Sequence, residues 1–227
     1  ASYQSTLSAN FNFSINIYQT KLTNLLQLVS NYRDPSRPQN DEIKARYPGN
    51  IYKGWPVDQI EIRTNLGEQR NVGGTTRLDY LQGFGENRKL TAYLAFSHVD
   101  GKVDTNGDGK ELDIGLVSPT MVRAGVELQW GAWSLSTRYT HVGTQRFGSY
   151  DPSGNPYTLD GYGNINLHVL WDVRPNFGVF LDGTNVTDAK YKNINHEWDP
   201  QAAAGLVEYK GIPQDPRRIG VGVQVRF

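Results

Sequence analysis

Alternation between apolar and polar residues runs through almost every extended segment of this chain. In the last segment, residues 217–227, Ile219 and Val221 share one parity, whereas Gly220 and Gln224 share the other. Successive side chains of a β-strand point to opposite faces, so the segment predicts a strand with one apolar and one polar face. Such a strand either covers the core of a soluble antiparallel sheet or faces lipid in a membrane barrel. This segment alone leaves both folds open.

The same alternation recurs in eight segments of the sequence. Tight turns separate several of them in pairs, which predicts hairpins and an all-β antiparallel meander. The predicted strands are residues 10–28, 72–84, 89–99, 121–130, 133–139, 164–173, 176–186 and 217–227.

The connections between these strands alternate in length. Structureless loops longer than about 12–15 residues are uncommon in compact domains, whereas short turns at one rim and long loops at the other are typical of outer-membrane barrels. The sequence therefore favours a transmembrane antiparallel meander β-barrel. Tight turns are predicted at residues 85–88, 131 and 174–176, and long connections at 30–71, 100–119, 146–160 and 188–217.

Several apolar faces end in an aromatic residue beside a tight turn. Aromatic side chains form girdles at the membrane interfaces of such barrels. We expect the aromatic residues of this chain to mark the periplasmic rim, and they are Trp130, Trp133, Trp171, Phe177 and Phe227.

The amino-acid composition argues against several other classes of protein. The chain has no cysteine, which gives no support to disulfides, thiol catalysis or a zinc–cysteine site. Its 23 basic and 23 acidic residues balance, so it lacks the basic footprint expected of a nucleic-acid-binding protein. No stretch approaches the roughly 20 consecutive apolar residues that a spanning helix needs.

The end of the chain resembles a known family. The stretches FGVFLDGTNVTDAKY and PRRIGVGVQVRF are similar to the carboxyl-terminal end of TonB-dependent outer-membrane receptors, whose penultimate strand ends in an Asn-Leu-Thr-Asp-like motif and whose last strand ends in Phe. Val186 stands where leucine is commoner, and Arg77-Leu78-Asp79 departs from the family's usual Gly-Val-Glu. The residues that carry the resemblance are Asn185, Asp188, Tyr191, Arg217 and Phe227.

This resemblance implies a location, partners and a function. Residues 1–227 are expected to form about eight strands at the carboxyl-terminal end of a roughly 22-stranded barrel in the bacterial outer membrane, with the plug domain absent from this chain. Its partners would be the remaining barrel strands, the plug, TonB acting through the plug, membrane lipid and lipopolysaccharide. Its substrate would be a scarce nutrient such as a ferric siderophore, haem or cobalamin.

A small closed barrel is the alternative architecture. Unpaired sheet edges are costly in lipid, so the edges expected at Asn10 and Phe227 pair either with strands of another polypeptide or with each other. An independent eight-stranded barrel would be a passive channel, an adhesin or an anchor. Its charged lumen residues would need partners across the lumen, whereas in a large barrel the plug could supply them. These residues are Arg123, Glu127, Arg138, Asp172, Asp182, Arg218 and Arg226.

One loop has the beginning of a calcium-binding sequence. In DTNGDGKELD, Asp104, Asn106 and Asp108 occupy alternate positions before Gly109, as in loops whose oxygens converge on calcium. The bidentate glutamate of that motif is missing, and Asp113 or Glu111 is the expected substitute. An Asn-Gly-Asp-Gly turn without metal is the alternative.

The long loops also carry candidate ligand contacts. Aromatic residues in Pro- and Gly-rich loops make rigid contact surfaces, and they also serve simply to hold loops together. The sequence contains no Gly-x-Ser-x-Gly or His-Glu-x-x-His motif, so we do not expect an enzyme. The candidate ligand contacts are Tyr52, Trp55, Tyr150, Tyr157, His196 and Trp198.

Overall fold

The computed structural model describes residues 1–30, 51–52, 55–56, 61–104, 109–150, 153–194 and 211–226, with the backbone alone at 26–30, 51–52, 55–56, 61–66 and 149–150. All regular structure in this part of the chain is β-strand, as predicted. The strands are β1 (Ser2–Ser8), β2 (Phe11–Ser30), β3 (Ile51–Tyr52), β4 (Trp55–Pro56), β5 (Glu61–Gly83), β6 (Arg88–Asp104), β7 (Leu112–Asp113), β8 (Thr120–Trp130), β9 (Trp133–Val142), β10 (Gln145–Tyr150), β11 (Pro156–Leu159), β12 (Tyr162–Arg174), β13 (Phe177–Thr184), β14 (Lys192–Asn193), β15 (Ile212–Pro213) and β16 (Arg218–Val225).

One large sheet contains the long strands in chain order. Its order is β1-β2-β5-β6-β8-β9-β12-β13-β16, with β7 paired to β6. The pairs β1–β2, β6–β8, β8–β9, β9–β12, β12–β13 and β13–β16 are antiparallel, which confirms the meander. The remaining short strands form the hairpins β3–β4, β10–β11 and β14–β15. Among the described residues, no helix has the length and apolar character needed to cross a membrane.

The contacts divide the chain into two compact units. One contains residues 1–19, 71–101 and 113–227, and the other contains residues 20–70 and 102–112. The first unit holds the tight turns and the last four strands of the large sheet. The second holds the distal parts of β2, β5 and β6, and there Glu68 forms ion pairs with Lys21 at 3.0 Å and Arg70 at 2.6 Å.

The structure corrects the position of one sheet edge. The alternation in the sequence predicts an edge at Asn10, but β1 precedes it and pairs with β2 through partners such as Ser5 and Phe13. The segment SYQSTLS escaped prediction because small polar residues occupy most of its positions, so its alternation is weak. The edges are therefore β1 and β16, and in the described strands these two are not neighbours. The sheet is open, so this structure does not have the small closed barrel that was the alternative architecture.

The strand registers place the apolar side chains on one face, as predicted. Leu128 of β8 pairs with Leu135 of β9, which pairs with Val169 of β12. Val169 pairs with Leu181 of β13, and Leu181 pairs with Val221 of β16. This row is not covered by a second layer: Val221 is 74% exposed and Leu181 is 37% exposed. A soluble sandwich would bury the row, whereas the wall of a membrane barrel exposes it to lipid.

Aromatic side chains gather at the tight-turn end of this face. The Trp133 and Trp171 rings stack with centroids 5.3 Å apart, and Phe84 lies 6.1 Å from Trp130. The Arg88 guanidinium lies 4.7 Å above the Trp130 ring. The predicted girdle residues Trp130, Trp133 and Trp171 are all exposed at this rim, while Phe227 lies outside the described residues.

Candidate functional site

The most deeply buried side chains of the first unit collect at the long-connection end of the sheet. Phe147 is 2% exposed and Ile114 is 4% exposed, although both lie in connections rather than in the membrane-spanning face. Two polar residues, Gln145 and Asn185, are buried there as well. We call this region the outer loop cluster, and it comprises residues 114–118, 143–148, 156–161, 185–194 and 211–217.

Asn185 is the central residue of the family-like motif and is only 1% exposed. Its amide nitrogen donates to the carbonyl oxygens of Ala189 at 3.0 Å and Asp215 at 3.3 Å. Its amide oxygen accepts from the Ala189 N–H at 3.0 Å, and its own N–H donates to Asn166 Oδ1 at 2.9 Å. One side chain therefore closes the turn after β13 and ties it to the segment before β16.

Asp188 makes the second link between the same two segments. Its Oδ1 accepts from the Arg217 N–H at 3.2 Å, and both carboxylate oxygens accept from Lys190 Nζ at 3.0 Å. The hydrogen bond from Lys190 and then the one from Arg217 hold the pKa of Asp188 below its ordinary value. We call Asn185 and Asp188 the terminal clamp, because they fix the start of the last strand.

The lowered pKa of Asp188 predicts a loosening of the clamp in acid. A carboxyl group whose pKa is lower in the folded state stabilises that state above its unfolded pKa of about 4, and the contribution disappears as the pH falls through the folded value. We expect the Arg217 amide to exchange faster with solvent below about pH 4, after correction for the intrinsic pH dependence of exchange. In Asp188→Asn this pH-dependent step should be absent, and an unchanged step in that variant would assign it to another group.

Tyr191 anchors the same connection on the polar face of the sheet. Its ring stacks on Tyr162 with centroids 4.0 Å apart, and Asn164 Nδ2 lies 3.3 Å from its hydroxyl oxygen. Asn164 alternates with the apolar Ile165 along β12, so it belongs to the polar face. The motif residue Tyr191 therefore lies on the lumen side of the wall, beside the outer end of β12.

Gln145, which no sequence pattern singled out, joins two long connections. Its Nε2 donates to the carbonyl oxygens of Lys192 at 2.8 Å and Asp160 at 3.4 Å, and its Oε1 accepts from the Ile194 N–H at 3.2 Å. Gln145 is 3% exposed, so these hydrogen bonds form away from solvent. Its partners in the last connection are 47 and 49 residues away along the chain, and no local pattern signals such contacts.

A third long connection joins the outer loop cluster through Arg146. The Arg146 N–H donates to the Val117 carbonyl at 2.7 Å, and its guanidinium lies 2.9 Å from Asp100 Oδ1. Ser118 Oγ donates to the Gly143 carbonyl at 3.1 Å. Connections that follow β6, β9 and β13 are thus held together in one hydrogen-bonded cluster.

The predicted ligand contacts are distributed over several hairpins. Tyr157 lies in β11 and is half-buried, whereas only the backbone is described for Tyr150, which pairs with Pro156. Tyr52 and Trp55 are backbone partners in the β3–β4 hairpin of the second unit. His196 and Trp198 lie outside the described residues. A ligand-binding role for all six residues stays a prediction.

The candidate calcium loop is described only in part. Asp104 Oδ2 accepts a hydrogen bond from the Gly109 N–H at 2.9 Å, which is a turn interaction. Asn106 and Asp108 lie outside the described residues, and Asp113 lies in β7. In the part of the chain that is described, no group of three or more His, Cys, Asp or Glu side chains is arranged to hold a metal ion. Calcium binding by this loop stays a prediction.

Several of the charges predicted for the lumen have partners within the chain. His168 Nδ1 lies 2.6 Å from Asp182 Oδ1, and Arg218 lies 2.9 Å from Asp215. Arg226 lies 3.0 Å from Asp172 Oδ1, at an angle that does not make a hydrogen bond. This pair spans β13 at Gly178, which is the register partner of both Asp172 and Gln224. A side chain at Gly178 would crowd the Asp172 carboxylate.

These features together define a class of protein. A single antiparallel sheet has an uncovered apolar face, a polar face that carries ion pairs, tight turns at one end and joined long connections at the other. This is the arrangement of an outer-membrane β-barrel wall, with the long connections outside the cell.

Comparison with known sequences gives the family. Residues 2–186 match the family described as TonB dependent receptor-like, beta-barrel. The chain belongs to this family, whose members lie in the outer membrane of bacteria. The family and the location that the terminal motif implied are thereby confirmed. No curated protein sequence matches the chain.

Several solved transporter structures have a similar fold. A copper transporter, OprC, matches 99% of this chain at 17% identity and a TM-score of 0.62. The outer membrane transporter YddB from Escherichia coli matches 100% of this chain at 10% identity and a TM-score of 0.63. The FrpB iron transporter from Neisseria meningitidis matches 100% of it at 14% identity and a TM-score of 0.63. The chain spans 30%, 32% and 29% of these three proteins, respectively.

Proposed function

We propose that this chain supplies part of the barrel wall and of the external ligand-binding surface of a receptor for TonB-dependent active uptake of a scarce nutrient. The observation that carries the proposal is the outer loop cluster, in which Gln145 and the terminal clamp join the long connections. Loops that are already ordered lose less conformational entropy when they bind a ligand. A passive channel has no comparable need for a preformed external surface.

The free edges of the sheet support the proposed partners. Unpaired backbone groups along β1 and β16 are costly in lipid, so strands from the rest of the barrel would pair with them. The short span of the chain relative to the matched transporters supports a larger barrel of this kind. The plug would occupy the lumen, TonB would act through the plug, and lipid and lipopolysaccharide would surround the wall.

The proposed substrate is a small metal chelate that is bound and moved without chemical change. The names of the matched structures, a copper transporter and an iron transporter, support cargo that contains a metal. A ferric siderophore, haem and cobalamin all belong to this class. The proposal includes no catalytic step.

Energy-coupled uptake tests this function directly. Bacteria that express the complete receptor are given radiolabelled ferric siderophores, haem, cobalamin and copper one at a time. We expect saturable accumulation of one of them that requires both the receptor and TonB. Equal accumulation in cells without TonB would instead support the passive channel.

The role of Gln145 gives a second test. Gln145→Leu keeps a similar volume but removes three hydrogen bonds, two of which join two connections, and each is worth about 0.5–1.5 kcal/mol. We expect the substrate concentration for half-maximal uptake to rise about tenfold, with the amount of folded receptor unchanged. Gln224→Leu, on the polar face of β16, is the matched control. If both variants take up the nutrient like the parent receptor, the ordered loop cluster is not the binding surface.

A further inference from the structure

Two arginines on the polar face of the sheet have no acidic partner among the described residues. Arg123 of β8 and Arg138 of β9 alternate with apolar residues that face lipid, so both belong to the lumen side. Both side chains are exposed. Neither forms an ion pair with a described residue.

The strand register brings these two arginines together. Arg123 pairs with Thr140, and Arg138 pairs with Gly125, so the two arginines are diagonal neighbours across β8 and β9. Diagonal neighbours in an antiparallel sheet are about 7–8 Å apart, within reach of long side chains. Two like charges at this spacing repel each other, and an anion placed between them would remove that cost.

Hydrogen-bond donors surround the pair on the same face. Asn166 is in register with Arg138, and Thr140 lies between Arg123 and Asn164. The Tyr93 ring covers Gly125, the register partner of Arg138. The acidic neighbour is Glu127, the diagonal partner of Arg138 on its other side, and it is not within ion-pair distance of either arginine. Basic residues therefore outnumber acidic ones around the pair.

We propose that Arg123 and Arg138 form an oxyanion-binding site on the lumen wall that contacts carboxylate or phosphate groups of the transported small molecule. A guanidinium presents parallel N–H donors that match carboxylate and phosphate oxygens. The inference rests on the proposed uptake function and adds a chemical class of cargo to it. Arg77, by contrast, already forms an ion pair with Asp79, in which its Nη2 lies 2.6 Å from Asp79 Oδ1.

A transported molecule and a carboxylate of the plug are the two kinds of partner that fit this pair. Other charges of the same face already have partners within the chain, as His168 with Asp182 shows. Guanidinium groups that no described residue holds in an ion pair can close around a ligand that arrives and later leaves. A fixed carboxylate of the surrounding protein would instead hold them as stationary ion pairs.

Citrate binding to the complete receptor tests the proposal, with triethyl citrate as the uncharged counterpart. We expect Arg123→Gln and Arg138→Gln each to weaken citrate binding about fivefold, and the double variant to weaken it about twentyfold. Arg→Lys at either position should keep part of the affinity, because the charge remains and the fork is lost. Arg174→Gln, an exposed arginine at the tight-turn end, is the matched control and should bind citrate normally.

The outcomes distinguish an oxyanion of the transported molecule from a carboxylate of the protein, and they distinguish failure of the oxyanion site from failure of the uptake proposal. Unchanged citrate affinity in the double variant overturns the site. Unchanged affinity combined with a lower melting temperature without citrate would assign the arginines to carboxylates of the protein itself. If citrate affinity falls as expected but the receptor shows no TonB-dependent uptake, the oxyanion site stands and the uptake proposal fails.

Discussion

Arginine in place of Val221 is expected to destabilise the barrel in a bilayer by about 2–4 kcal/mol, the cost of a cation on the lipid face near the midplane. Val221 lies in the middle of β16, is 74% exposed, and ends the row of apolar side chains that begins at Leu128. A charged side chain there would meet hydrocarbon rather than water. The folded fraction of the complete receptor in phospholipid vesicles, read from its heat-modifiable migration, measures the effect.

The control for this substitution lies three residues further along the same strand. Gln224 has the opposite parity to Val221 and belongs to the polar face. Gln224→Arg adds the same charge on the lumen side and should change the folded fraction little. An equal loss of folded fraction in the two variants would show that a charge destabilises β16 on either face. The assignment of the apolar face to lipid would then be wrong.

The faces of the sheet were predictable because strand periodicity is a local property. Val221 lies between two glycines, and Val169 and Leu181 each have a polar residue on one side, so alternation along the strand fixes which face each occupies. The terminal motif added the family, because its residues lie in two short stretches near the end of the chain, 177–191 and 216–227. Strand periodicity and the terminal motif can both be recognised without any knowledge of the tertiary structure.

The missing strand and the loop contacts lacked such signals. β1 contains Ser2, Gln4, Ser5 and Thr6, which give its two faces little contrast. It is held instead by its register with β2, and such pairing depends on the neighbouring strand rather than on its own residues.

The burial of Gln145 and Asn185 was equally invisible in the sequence. Gln145 follows a strand and precedes a basic residue, as a solvated loop residue would, yet it is buried by segments 15 to 49 residues away. Asn185 was identified as part of a motif, but its hydrogen bond to Asp215 spans 30 residues. Loop packing of this kind depends on how the connections fold over the end of the sheet, which periodicity does not determine.

The largest local effect is expected at Asn185, where the amide and the backbone conformation contribute separately. Its φ of 49° lies in the left-handed region, which asparagine tolerates better than alanine by about 1 kcal/mol. Removal of the amide also leaves the Ala189 and Asp215 groups without their partner, at about 2 kcal/mol. We therefore expect Asn185→Gly to cost about 2 kcal/mol and Asn185→Ala about 3 kcal/mol.

Hydrogen exchange at Ala189 and Arg217 measures this cost as the free energy of local opening. A loss of 2 kcal/mol corresponds to about thirtyfold faster exchange at both amides in Asn185→Gly. The Ala189 amide loses its own acceptor, so Arg217, whose N–H is bonded to Asp188, is the more informative reporter. Asn176→Ala, at an exposed turn at the other end of β13, should leave both amides protected. If Arg217 stays protected in Asn185→Gly, Asp188 alone holds the start of β16, and the clamp does not depend on the asparagine.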